Sequence, residues 1–177
     1  MSMAASPQSS RPFNGAAVVM GVSSCGKTTL GDALAQALGA QFVEGDKLHP
    51  PANIEKMSAG QPLNDQDRWP WLTKVGETLQ GKQGVIASCS SLKRVYRDLI
   101  RSTAGRTVYF IHLHGSRELL AARIAARKNH FMPPTLLDSQ LATLEMPLAS
   151  EPHLTVAIDD PLEMQVEKSI AFLLQRV

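Results

Sequence analysis

A chain of 177 residues with 18 Lys and Arg against 16 Asp and Glu carries a net charge of only +2, and 44% of it is hydrophobic. That is enough for one globular domain with a real core, and no apolar stretch approaches a membrane span. Two cysteines, Cys25 and Cys89, are too few for a zinc module or a disulfide scaffold.

Residues 1–14 are rich in Ser, Pro and Ala, lack an apolar signal core and hold a single basic side chain, Arg11. They read as a flexible tail before a single domain over 15–177, in a protein of the cytoplasm. Ala16–Met20 is an apolar run suited to a buried parallel strand. Gly21 to Thr28 then reads Gly-Val-Ser-Ser-Cys-Gly-Lys-Thr, a complete phosphate-binding loop. Gly21 and Gly26 let backbone N–H groups approach phosphate oxygens, Lys27 sets an ammonium on the outer phosphates, and Thr28 offers a hydroxyl to magnesium. The helix expected from Gly26 points its positive end at the same anion. Leu30, Leu34 and Leu38 mark one face of that helix, and Gly39 is its expected C-cap. Cys25, at a helix N-terminus, is expected to be a reactive thiol whose alkylation blocks nucleotide binding; an inert small residue is the alternative.

Gln41–Glu44 is expected as the second strand, followed by a break at Gly45-Asp46-Lys47-Leu48-His49-Pro50-Pro51. A short helix over 53–60, a turn at 61–65 and a helix over 71–79 come next. Trp69 and Trp71 are expected in the core. Val85–Cys89 is the third strand, 93–101 a helix and Val108–Leu113 the fourth strand. A helix over 117–127 is followed by a break at 129–134 and a helix over 136–144. Leu154–Ile158 is the fifth strand, and a helix over 162–174 closes the chain. Strands alternating with helices predict a five-stranded parallel sheet covered on both faces, an α/β fold. Ligands of such sheets sit beyond the strand C-termini, where the phosphate loop, Glu44 and Asp46, Ser88–Ser90, and His112 and His114 would converge.

Charge is unevenly spread. Residues 91–130 carry a net +7 and the rest of the chain −5. Anionic ligands are the natural partners of that block. A nucleic-acid groove is the rival reading, but the block has few aromatics to stack on bases and matches no recognised nucleic-acid module.

Several segments together resemble the gluconate kinases, a branch of the P-loop kinases related to shikimate kinase. They are Gly45 to Pro50 with Asn53 to Met57, Gly60 to Arg68 with Pro70 to Leu72, Cys89 to Lys93 with Tyr96 to Leu99, Ala126 to Phe131, and Leu141 to Glu145 with Ile158 to Leu162. The resemblance spans about residues 16–175. It departs at Ser24 and Cys25, where the family usually has Gly and Ser, and at Glu44, where Asp is usual.

The resemblance implies a three-layer P-loop kinase fold with a small helical lid at about 123–140. It implies ATP-dependent phosphorylation of D-gluconate at the 6-hydroxyl, with Mg2+. ATP would lie on Gly21, Ser23, Ser24, Cys25, Gly26, Lys27, Thr28 and Thr29, with Thr28 as the metal ligand. Arg123 and Arg127, one helical turn apart, would reach the transferring phosphate from the lid. Lys27, Asp46 and Arg127 form the implied catalytic set, with Asp46 orienting the acceptor hydroxyl and taking its proton. Asp46, His49, Arg68, Ser90, Lys93 and Arg97 are the implied acceptor contacts, the arginines suiting a carboxylate. Asp159 to Leu162 would line the adenine pocket. A homodimer is the family expectation, with no membrane or nucleic-acid partner. Another small anionic acceptor such as shikimate, a nucleic-acid-linked NTPase and a catalytically silent nucleotide module are the alternatives.

Overall fold

The computed structural model describes residues 12–128 and 133–176. Of the expected tail, 1–11 lie outside these residues, as do 129–132 of the break before the sixth helix. Five strands form one parallel sheet: β1 (Ala16–Met20), β2 (Gln41–Glu44), β3 (Val85–Ser88), β4 (Val108–His114) and β5 (His153–Ala157), in the order β2-β3-β1-β4-β5. β1 lies at the centre, with Val18 opposite both Ala87 and Phe110. All five of its residues are buried, as a parallel strand covered on both faces requires. β3 and β4 run to either side of β1, so its C-terminal end is the switch point where such sheets bind ligands.

Among the described residues seven α-helices accompany the sheet: α1 (Lys27–Leu38), α2 (Pro51–Ser58), α3 (Asp65–Thr78), α4 (Arg94–Ala104), α5 (Arg117–Ala126), α6 (Pro134–Thr143) and α7 (Leu162–Leu174). α1 packs on β3 and α7, and α3 on α4. Leu30 and Leu34 enter the core and Leu38 packs at its edge. Gly39 ends α1 in the left-handed conformation, its N–H bonded to carbonyls of the last turn.

Three boundaries differ instructively from the sequence reading. α2 begins at Pro51, since proline fits the first helical turn. α3 begins six residues before the expected 71, because Asn64 caps it with a full capping box to Asp67. Pro70 lies inside this helix and is exposed, so it removes one intrahelical bond without breaking the element. Arg127 is not helical: α5 ends at Ala126, and Arg127 adopts an extended conformation. No described helix is long and apolar enough to cross a membrane.

Candidate active site

The phosphate loop leaves the central strand and turns directly into α1. Gly21 has φ +143°, and a Cβ there would lie 2.8 Å from the Leu113 carbonyl oxygen and 2.7 Å from Cys25 Sγ. Only glycine lets the chain pass so close. Ser24 has φ +64°, a left-handed conformation that favours glycine. Lys27 Nζ donates to the Val22 carbonyl at 2.9 Å, wrapping the loop around its own ammonium. Thr28 and Thr29 are exposed at the start of α1. Cys25 is only 1% exposed. The expected ready alkylation is therefore corrected: the thiol packs beneath Gly21 and is shielded from reagents. Cys89 is likewise buried, which pushes its thiol up to about 11.

The end of β2 supplies two carboxylates with different surroundings. Glu44 accepts from Thr28 Oγ1 at 2.6 Å and from Ser88 Oγ at 2.5 Å, so it ties the phosphate loop to β3. Ser88 Oγ in turn accepts from the Gly45 N–H at 3.1 Å. A Cβ on Gly45 would lie 1.8 Å from the Ser88 carbonyl oxygen, so the chain between the two acids must be glycine. Asp46 follows in a 3-10 turn over Gly45–Leu48, exposed at the mouth of the site. Thr28 and Glu44 present the hard oxygen donors that magnesium prefers. No group of three or more His, Cys, Asp or Glu side chains gathers as a metal site among the described residues, so phosphate oxygens and water would complete the coordination.

His49 is buried rather than exposed in its loop. It stacks on Trp71 with ring centroids 4.0 Å apart, and its Nδ1 lies 3.2 Å from Asn53 Nδ2. Burial lowers its pKa to about 4, with Arg68 acting in the same direction and Asp46 opposing, so the ring is neutral. Trp71 donates its indole N–H to the Gly45 carbonyl at 2.9 Å, fixing the turn that carries Asp46.

Beyond this turn lies a cleft of about 540 Å³ lined by Leu63, Asn64, Asp65, Gln66, Arg68, Lys93 and Thr143. Arg68 and Lys93 thus come together as expected. They are organised by two residues to which the sequence reading gave no role, Asp65 and Tyr96. The buried Tyr96 hydroxyl donates to Asp65 and accepts from Arg68 Nη1 at 3.1 Å, while Lys93 Nζ reaches Asp65 at 3.2 Å. The Tyr96 bond holds the Asp65 carboxyl below the usual carboxylate range, and Asp65 raises Lys93 in turn. Ser90 stands between loop and cleft, its carbonyl accepting the Gly21 N–H at 3.2 Å.

Arg97 does not join them. It is fully buried, forms a paired bond to Glu151 at 2.7 and 3.0 Å, and donates to the carbonyls of Ser91, Leu92 and Glu145. It is a structural cation that ties α4 to the loop before β5, and its expected substrate contact is corrected on that ground. Burial pushes Glu151 up, but the bonds from Arg97, the Leu148 N–H and Arg101 outweigh this and hold it at about 2. Arg123 donates to the Ile158 carbonyl at 2.5 Å, whereas Arg127 reaches Ser24 Oγ at 3.1 Å. The two expected partners diverge because α5 ends between them.

The expected lid at 123–140 spans the end of α5 and most of α6. α6 buries Leu137, pairs Asp138 with Arg117 at 2.7 Å, and is followed by Glu145, whose N–H donates to the Leu92 carbonyl at 2.7 Å. Its Gln140, also unassigned from sequence, accepts from the Ser23 N–H at 2.7 Å and donates to Ser23 Oγ at 3.1 Å.

Comparison with known proteins fits this geometry. Residues 17–147 match the family model described as an AAA domain. The chain is 47% identical over 157 residues to the gluconokinase of Gluconobacter oxydans, covering 86% of this chain and 88% of that protein. It superposes on a gluconokinase from Sinorhizobium meliloti with a TM-score of 0.86 and 49% identity, covering 93% and 94% of the two chains. A shikimate kinase from Bacteroides thetaiotaomicron shares the fold, with a TM-score of 0.64 at 17% identity over 90% and 98% of the two chains.

Proposed function

The chain belongs to the gluconokinase family of P-loop kinases, and from that membership we propose that it transfers the γ-phosphoryl group of ATP to the 6-hydroxyl of D-gluconate. One observation supports this reading most directly: the phosphate loop after β1 and the turn carrying Asp46 after β2 leave the same edge of one parallel sheet, and His49 at the end of that turn feels the charges of both Asp46 and Arg68. Arg68 and Lys93 suit the single carboxylate of gluconate. Asp46 orients the acceptor hydroxyl and takes its proton, and its exposed position in the turn after β2 suits that task. Lys27, Arg127 and the loop amides stabilise the charge on the transferring group. Thr28 would hold magnesium, with Glu44 orienting that hydroxyl; bound there, the ion neutralises phosphate charge. His49 acts by packing on Trp71 rather than as an acid or base. A cytoplasmic location and a homodimer complete the reading.

The test is coupled ADP release with MgATP, comparing D-gluconate, shikimate, nucleoside monophosphates and no acceptor. Release is expected only with gluconate, lost in Lys27→Ala and lowered about 100-fold or more in Asp46→Asn. ATP binding without transfer to any acceptor would favour a silent nucleotide module.

A further inference from the structure

We infer that Gln140 is a positioning residue for the transfer step, setting the acceptor-side rim of the phosphate loop from α6. The inference rests on the gluconokinase reading above. The Gln140 amide closes a ring with Ser23, accepting its N–H and donating to its hydroxyl across 117 residues of sequence. Ser23 lies within the phosphate loop, between Gly21 and Lys27. Gly21, two residues earlier, is bonded to Ser90, and Ser90 begins the segment that leads to Lys93.

The same helix reaches the cleft itself. Thr143, three residues on and so on the same face, is one of the cleft-lining residues. α6 is tied to the rest of the fold at several points. Leu137 anchors it in the core, Arg117 grips Asp138, and Glu145 binds the Leu92 carbonyl and accepts the Arg94 N–H. One helix therefore touches the phosphate loop at Gln140 and the cleft at Thr143. Phosphoryl transfer is steeply sensitive to that separation. A neutral amide can fix Ser23 without adding charge beside a triphosphate, which a carboxylate of the same length would do.

The experiment measures kcat, the two KM values and thermal unfolding for the wild type, Gln140→Ala and Gln140→Glu. For Gln140→Ala, kcat is expected to fall about tenfold or more while both KM values stay within about threefold. Gln140→Glu, which keeps an acceptor for the Ser23 N–H, is expected to raise the KM for MgATP. A folded Gln140→Ala with wild-type kcat would overturn the inference. So would a raised kcat with a lowered KM for MgATP, the mark of an inhibitory plug. If Gln140→Ala does not fold, Gln140→Glu decides, and wild-type constants there overturn it. A wild type inert towards gluconate would instead remove the functional reading, and this inference with it.

Discussion

In the proposed reading the phosphate loop would hold its ligand with main-chain atoms, whereas the acceptor cleft would hold its own with side chains. In the loop the fold fixes the donors, and side chains such as Cys25 are turned inward. In the cleft Arg68 and Lys93 owe their places to Asp65 and Tyr96, residues with no expected contact with the acceptor. A backbone site tolerates exchange of its outward side chains but not of its glycines. A side-chain site depends on the whole set of neighbours that holds each charge in place.

Gly21→Ala breaks that distinction most sharply. The new methyl would meet both the Leu113 carbonyl and Cys25, so the KM for ATP is expected to rise about 100-fold or more as the loop shifts. Near-normal kinetics in this variant would mean that side chains, not backbone, carry nucleotide binding. Arg97→Ala comes next. It removes the paired bond to the buried Glu151, leaving that carboxylate to Arg101 and the Leu148 N–H, and is expected to destabilise the fold by about 3 kcal/mol in chemical denaturation. The fraction that still folds should keep its KM for gluconate, and a selective loss of gluconate affinity would restore Arg97 to the cleft.

Arg68→Lys tests the cleft more gently. The charge is kept but the fork that bonds Tyr96 is lost, so the KM for gluconate is expected to rise about tenfold with the KM for ATP unchanged. An equal rise in both would show that the two halves are not separable.

The smallest effect is on pH. His49 and His112 are buried and have pKa values of about 4 in the fold, against 6.5 for the free side chain. The unfolded chain therefore binds more protons between those values. Stability from this source is full above about pH 6.5, declines as the pH falls and is lost below about 4. An unfolding temperature that does not drop between about pH 7 and pH 5 would contradict it.

The sheet was legible because each strand is a short apolar run and each crossover helix carries a periodic face. The phosphate loop was legible because its geometry demands particular residues at fixed spacing. The start of α3 was less legible, because the Asn64–Asp67 capping box opens the helix at the end of a stretch whose composition reads as a turn over 61–65. Arg97 was misplaced because a basic residue in a basic segment looks like a ligand. Its partner Glu151 lies 54 positions away, and only the fold brings them together. Gln140 carried no signal at all, since a lone amide on a helix is usually a solvated side chain.

Both tryptophans of the chain pack against residues that shape the site, His49 and Tyr96. Trp71 stacks on His49 and donates to the carbonyl of the residue before Asp46, and Trp69 meets the edge of the Tyr96 ring at 5.6 Å. The site thus contains its own fluorophores. Indole emission follows the local electric field, so an acceptor anion settling between Arg68 and Lys93 should change the native fluorescence. Acceptor affinity could then be titrated optically in unlabelled protein, with no nucleotide present and no turnover.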